Sequence, residues 1–128
     1  MERETINIPA IMFEWSNWYR WDEFKVDARS GGGVLVPNKA QGVYKAKRFD
    51  SDNRLTIGKA SDLRLRIKQG LVKGKVPHSA GKRIRANEDT SKIVIRWATT
   101  DRPSAAEEEL HRKHQEMFGA FPVYTEHT

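Results

Sequence analysis

Residues 42–66 read G-V-Y-K-A-K-R-F-D-S-D-N-R-L-T-I-G-K-A-S-D-L-R-L-R, and the fold turns on how this stretch divides. Gly42 to Phe49 reads as a strand, D-S-D-N at 50–53 has the short polar side chains that close turns, and Arg54 to Gly58 reads as the returning strand. The pair predicts a β-hairpin. The acids of D-S-D-N lack the spacing of a calcium loop, so the tetrad is read as a turn. Beyond Gly58 two periods compete. Leu63, Leu65 and Ile67 alternate with Arg64 and Arg66 as in a strand, while Leu63, Ile67 and Leu71 recur at i, i+4 and i+8 as on a helix face. Ser61 and Asp62 are good N-caps directly ahead and Gly70 offers a stop, which decides for a helix.

Upstream, Trp15, Trp18, Trp21 and Phe24 fall at intervals of three, the spacing of one face of a short helix packed on a core. Gly31, Gly32 and Gly33 break the chain, and Val34 to Pro37 reads as a short extended piece. Downstream, a polar loop runs through Pro77 and His78, with a helical turn near Ser79 to Ile84. S-K-I-V-I-R-W-A-T-T at 91–100 is the clearest strand. Pro103 and Ser104 open a helix reaching about Phe118, and F-P-V-Y-T closes the chain. The order β-β-α-β-α predicts an α+β domain with a small three-stranded antiparallel sheet flanked by helices. It spans residues 40–128, and residues 1–39 form an aromatic-rich extension packing on it.

With 128 residues and 38% hydrophobic content, the chain is sized for one core. It has no cysteine, which excludes disulfides, thiolate metal sites and a cysteine nucleophile, and suits a reducing compartment. No secretory leader pattern and no bilayer-length apolar run is found, so a cytoplasmic protein with no membrane partner is expected. The net charge is +6, and it is unevenly spread. Between Asp62 and Glu88 there is no acid, yet eight of the 23 Lys and Arg lie there: Arg64, Arg66, Lys68, Lys73, Lys75, Lys82, Arg83 and Arg85. The fifteen others face 17 Asp and Glu. Positive charge gathered beside a near-neutral body is the footprint of a polyanion partner, with nucleic acid first among them; a solvated basic face is the alternative.

The opening stretch also resembles a known family. G-V-Y at 42–44, T-I-G-K at 56–59, S-D-L-R-L-R at 61–66, E-E-E-L at 107–110 and P-V-Y-T at 122–125 follow one another as the signature of the GIY-YIG nuclease superfamily does. Homing endonucleases, some restriction enzymes and an excision-repair incision subunit belong to that superfamily. The match covers residues 40–126. It departs at two places: Thr56 stands where the second signature tyrosine is expected, and Thr125 where a terminal asparagine is expected.

The resemblance implies a divalent-metal-dependent endonuclease acting on double-stranded DNA, with Mg²⁺ or Mn²⁺ as cofactor. The residue chemistry is compatible with it. Phosphodiester hydrolysis needs an activated water, stabilised charge on the phosphoryl oxygens and a good departure for the sugar oxygen. Arg66 has the permanent charge and several donors for the second task. Glu107 is implied as the metal ligand, Tyr44 as the acceptor of the water's proton, Lys59 as a rim cation and His78 as a proton-transfer or phosphate-binding group. Thr56 would offer a hydroxyl in place of the missing phenol. Bland readings stand beside these: Ser104 with Glu107 is a capping box, Tyr44 an ordinary strand tyrosine, and His78 an exposed loop residue. His111, His114 and His127 read as surface positions. Arg64, Lys68, Lys73, Lys75, Lys82, Arg83 and Arg85 are the candidate DNA contacts. A homodimer is one way for a single-site enzyme to cut both strands. The competing expectation is a catalytically degenerate module that binds nucleic acid without cutting it.

Overall fold

The computed structural model describes residues 13–125. The first twelve residues of the aromatic-rich extension, and His127, lie outside them. The architecture is α+β, and the sheet has four antiparallel strands where three are expected: β1 (Tyr19–Arg20), β2 (Gly42–Arg48), β3 (Arg54–Ala60) and β4 (Ile93–Thr99), in the order β1-β4-β2-β3.

The hairpin of β2 and β3 forms where alternation predicts it, and its register explains one glycine of the sequence pattern, Gly58. Tyr44 pairs with Gly58 on one side and with Trp97 on the other. A Cβ at position 58 would lie 2.5 Å from Cζ of Tyr44, so only glycine lets the ring lie across β3. Near its turn, β3 carries a bulge: Ala46 pairs with Thr56 and Lys47 with Arg54, leaving Leu55 as the extra residue. The outer edge of that bulge is covered by the tail, where the N–H groups of Val123 and Tyr124 donate to the carbonyls of Arg54 and Leu55 at 3.1 and 2.8 Å.

Helices pack against both faces. On one, the helix beginning at residue 63 contributes Leu63, Ile67 and Leu71, and α2 (Ser79–Asn87) contributes Ile84, all fully buried beside Tyr44, Leu55, Ile93 and Ile95. On the other, α3 (Pro103–Phe118) sets Ala106 and Leu110 against Val43 and Ala98.

Several local expectations are corrected. Residues 15–24 do not form one helix. Trp15 and Trp18 approach Lys45 and Arg96 on the α3 face, Tyr19–Arg20 pairs with β4, and a single 3-10 turn at Trp21–Phe24 buries Trp21 and Phe24 in the main core. The interval of three therefore conceals a chain that passes from one face of the sheet to the other. The segment read as extended holds a helical turn instead, α1 (Gly32–Leu35), with Val36 buried behind it. The next helix does not stop at Gly70. It continues to Val72, wound as a π-helix over Leu65–Val72, and Gly70 lies inside it with the His78 ring packed closely against it. The helical turn after Pro77 extends to Asn87.

Candidate active site

The residues named by the signature come from five parts of the chain and line one hollow of about 630 Å³: Tyr44 on β2, Thr56, Gly58 and Lys59 on β3, Arg66 on the π-helix, His78 at the start of α2, and Glu107 on α3. That volume lies in the usual range for a small-molecule or single-residue substrate site. Its charges are mixed: Lys59, Arg66 and Arg112 are cationic, and Glu107 and Glu108 on α3 are anionic.

Each position has a local cause. Asp62 Oδ1 accepts from the Leu65 N–H at 3.2 Å and caps the helix that carries Arg66. The Arg66 guanidinium donates to the Pro77 carbonyl at 3.1 Å and sits close enough to Tyr44 to draw that phenol's pKa down. Burial opposes it and wins: Tyr44 is pushed up to about 12, with Glu107 adding to the rise.

His78 is not the exposed loop residue that was one of its two readings. It is buried and caps α2, its Nδ1 accepting from the Gly81 N–H at 2.9 Å. That bond places the ring proton on Nε2, which lies 2.7 Å from the Tyr44 hydroxyl and donates to it. The phenol's own proton is thereby left for a ligand. Burial, then Arg66 and Arg85, holds the His78 pKa down at about 4, so the ring is neutral at ordinary pH.

Glu107 does not turn back as a cap. The helix is capped at Arg102 with no side-chain bond, and Ser104 Oγ instead accepts from Lys59 Nζ at 3.0 Å, fixing that ammonium at the rim. The Glu107 carboxylate makes no hydrogen bond or ion pair with another described residue. It differs in this from Glu109, which Arg112 engages. Glu108, which also lines the hollow, is likewise unpaired, and one or two free carboxylates beside open space suit Mg²⁺, which takes few protein ligands and keeps its waters; among the described residues no group of three or more His, Asp or Glu gathers as a fuller cage.

Thr56 and Thr125, the two departures from the signature, both line the hollow. Thr125 Oγ1 is buried there with no hydrogen-bond partner among the described residues. His111, read as a surface residue, lines the hollow too, with Nε2 3.2 Å from the Ile57 carbonyl. Its place one helical turn after Glu107 was the available signal. His114 is buried, its Nδ1 2.7 Å from the Ala120 carbonyl.

The basic stretch 64–85 divides. Arg64 donates to the carbonyls of Val36 and Val34 at 2.8 and 2.7 Å, Arg85 to those of Leu71 and Gly70, and the buried Lys68 pairs with Asp27. These three brace the fold. Lys75, Lys82 and Arg83 are exposed and Lys73 is half-buried. Arg83 also stacks its guanidinium over Tyr124 at 5.3 Å.

Comparison with known proteins gives no match to a family model, to a curated protein or to a solved structure. No helix among the described residues is long and apolar enough to cross a membrane.

Proposed function

We propose that this chain is a divergent GIY-YIG-like endonuclease that hydrolyses DNA phosphodiester bonds with a divalent metal. One observation carries the reading: Tyr44, Arg66 and Glu107, distant in sequence, line the same hollow.

In this reading Arg66 holds the phosphoryl oxygens and offsets their growing charge. Lys59 at the rim and the N-terminal residues Ser79 and Ala80 of α2 extend the anion-binding wall. His78 donates to Tyr44 and fixes the direction of its hydroxyl, so Tyr44 meets the water or the phosphate with a defined geometry. Glu107 would hold Mg²⁺ or Mn²⁺, which when bound supplies Lewis-acid stabilisation and a more acidic water. The exposed Lys75, Lys82 and Arg83 offer contacts to the DNA backbone. Cutting both strands from one such site calls for a homodimer or for sequential nicking.

The absence of the second phenol at Thr56 favours a second reading, a module that binds DNA without cutting it. The two separate on supercoiled plasmid incubated with Mg²⁺ or Mn²⁺. Nicking that needs metal and falls on the order of 10²–10³-fold in both Arg66→Ala and Glu107→Ala supports the enzyme. Salt-sensitive binding without nicking under any divalent ion leaves only the binding module.

A further inference from the structure

The α3 face of the sheet carries a second concentration of charge. Lys45 stands directly opposite Arg96 across β2 and β4, and Lys47 directly opposite Arg54 across β2 and β3. Like charges in opposed positions destabilise a sheet, and here there are two such pairs side by side. All four cations surround one ring. Lys45 Nζ, Lys47 Nζ, Arg54 Cζ and Arg96 Cζ lie 5.9, 4.8, 5.3 and 4.7 Å from the centroid of Trp18. Lys45 Nζ is also 4.2 Å from the centroid of Trp15.

The indoles offer their negative faces but no countercharge. Arg54 donates to the Asp52 carbonyl, and Arg96 directs two donors to the Ser16 carbonyl. Among the described residues no carboxylate forms an ion pair with any of the four, although the Asp52 charge acts on Arg54, and neither the Lys45 nor the Lys47 ammonium has a hydrogen-bond partner. Burial and the three neighbouring cations bring the Lys45 pKa down to about 8. Beside Lys45 and Arg54 opens a hollow of about 180 Å³ that Lys113 also lines. It is smaller than the roughly 300–1,000 Å³ of ordinary small-ligand pockets. Ile57, Leu110, Met117 and Phe118 make most of its wall apolar, so phosphates would meet the cations at its edge rather than enter it.

A sheet that sets Lys against Arg on both sides of the inner strand β2, with no ion-paired acid among the described residues, is arranged for an anion supplied from outside. The cations are spread over three strands and a helix, which matches a run of phosphates better than one point charge. We propose that this Trp18-centred cluster binds the phosphate backbone of DNA at a stretch separate from the one entering the cutting hollow. The proposal rests on DNA being the partner.

The test uses the full chain and a fluorescein-labelled DNA duplex, with anisotropy read in EDTA so that nothing is cut. Lys45→Met combined with Lys47→Gln should weaken binding about tenfold at low salt and reduce the slope of log Kd against log salt by about two. The same variant should melt higher than wild type without DNA, because the opposed charges are gone. Unchanged affinity and slope overturn the proposal. So does a wild-type melting point raised by inorganic phosphate while DNA affinity is indifferent to the substitutions, which would make this a small-anion site. A Glu2→Gln/Glu4→Gln protein that melts lower and binds DNA more tightly also overturns it, by assigning the cluster to the chain's own acids. Failure here is separable from failure of the nuclease reading. Arg66-dependent nicking with unchanged binding by the Lys45/Lys47 variant sinks only the cluster, and weakened binding by that variant without any nicking by wild type sinks only the enzyme.

Discussion

Tyr44 and His78 share a hydrogen bond whose direction is set from outside the pair, by the Gly81 N–H on the far ring nitrogen. Two pH dependences follow. Burial places the Tyr44 phenol at about 12, so at neutral pH only about one molecule in 10⁵ carries the phenolate. If Tyr44 takes the water's proton, the active form is the deprotonated one, and nicking should rise close to tenfold per pH unit from pH 7 into the alkaline range and vanish in Tyr44→Phe. A profile flat above neutrality would make Tyr44 a hydrogen-bond donor to the phosphate instead. The His78 pKa moves the other way, from 6.5 to about 4. Between those values the unfolded chain binds a proton that the folded chain refuses, so stability is complete above pH 6.5 and declines as pH falls toward 4. The loss should be about 3 kcal/mol and should flatten in His78→Gln, read by chemical denaturation across that window. Carboxylates such as Glu88, held below their ordinary value of 4.5 by Arg48, begin to add their own loss at the acid end of that window and continue below it.

At the scale of elements, the site depends on β3 passing under an aromatic ring without a side chain. In Gly58→Ala the new methyl group meets the Tyr44 ring, and the ring must leave its position over β3. Overpacking of this kind costs about 1–3 kcal/mol, and a displacement near 1 Å at a reacting group costs on the order of 10² in rate. On the nuclease reading the variant should therefore stay folded and lose most of any nicking the wild type shows; wild-type turnover would mean that Tyr44 does not need its place. This pairing was legible, because alternation in β2 and β3 and the D-S-D-N turn fix which residues can face one another. The strand β4 and helix α3 were legible for similar local reasons, a β-branched alternation and a proline at a helix start. The π-winding of Leu65–Val72 was not. Leu63, Ile67 and Leu71 satisfy an α-helical period equally well, and the His78 ring that packs against Gly70 comes from a segment the local pattern cannot place. The burial of His78 itself leaves no mark in a polar loop until β2 brings Tyr44 against it. The opposed cations of the α3 face were hidden for another reason: each is unremarkable within its own strand, and only the register across three strands brings them together.

For the molecule as a whole, the resemblance begins at residue 40, but the core does not. Trp21 and Phe24 are 1% and 0% exposed, and deleting such a ring typically costs about 3–5 kcal/mol. The segment before β2 also completes polar groups of the later chain. Ser16 exchanges backbone and hydroxyl hydrogen bonds with Trp97 at 2.8 and 3.0 Å, Val34 and Val36 receive the Arg64 guanidinium, and Asp27 and the Gly33 carbonyl receive the buried Lys68. Without that segment, Arg64 and Lys68 lose their partners and β4 regains a free edge. The two rings alone amount to about 6–10 kcal/mol, comparable to the 5–15 kcal/mol that hold a typical domain together. A protein of residues 40–128 should therefore show no cooperative thermal transition by calorimetry and little near-ultraviolet dichroism, although every residue named for the proposed active site is still present. A sharp transition with metal-dependent nicking in that shortened chain would mean that the first 39 residues are an accessory, and that Arg64 and Lys68 find solvent as good a partner as the carbonyls they now hold.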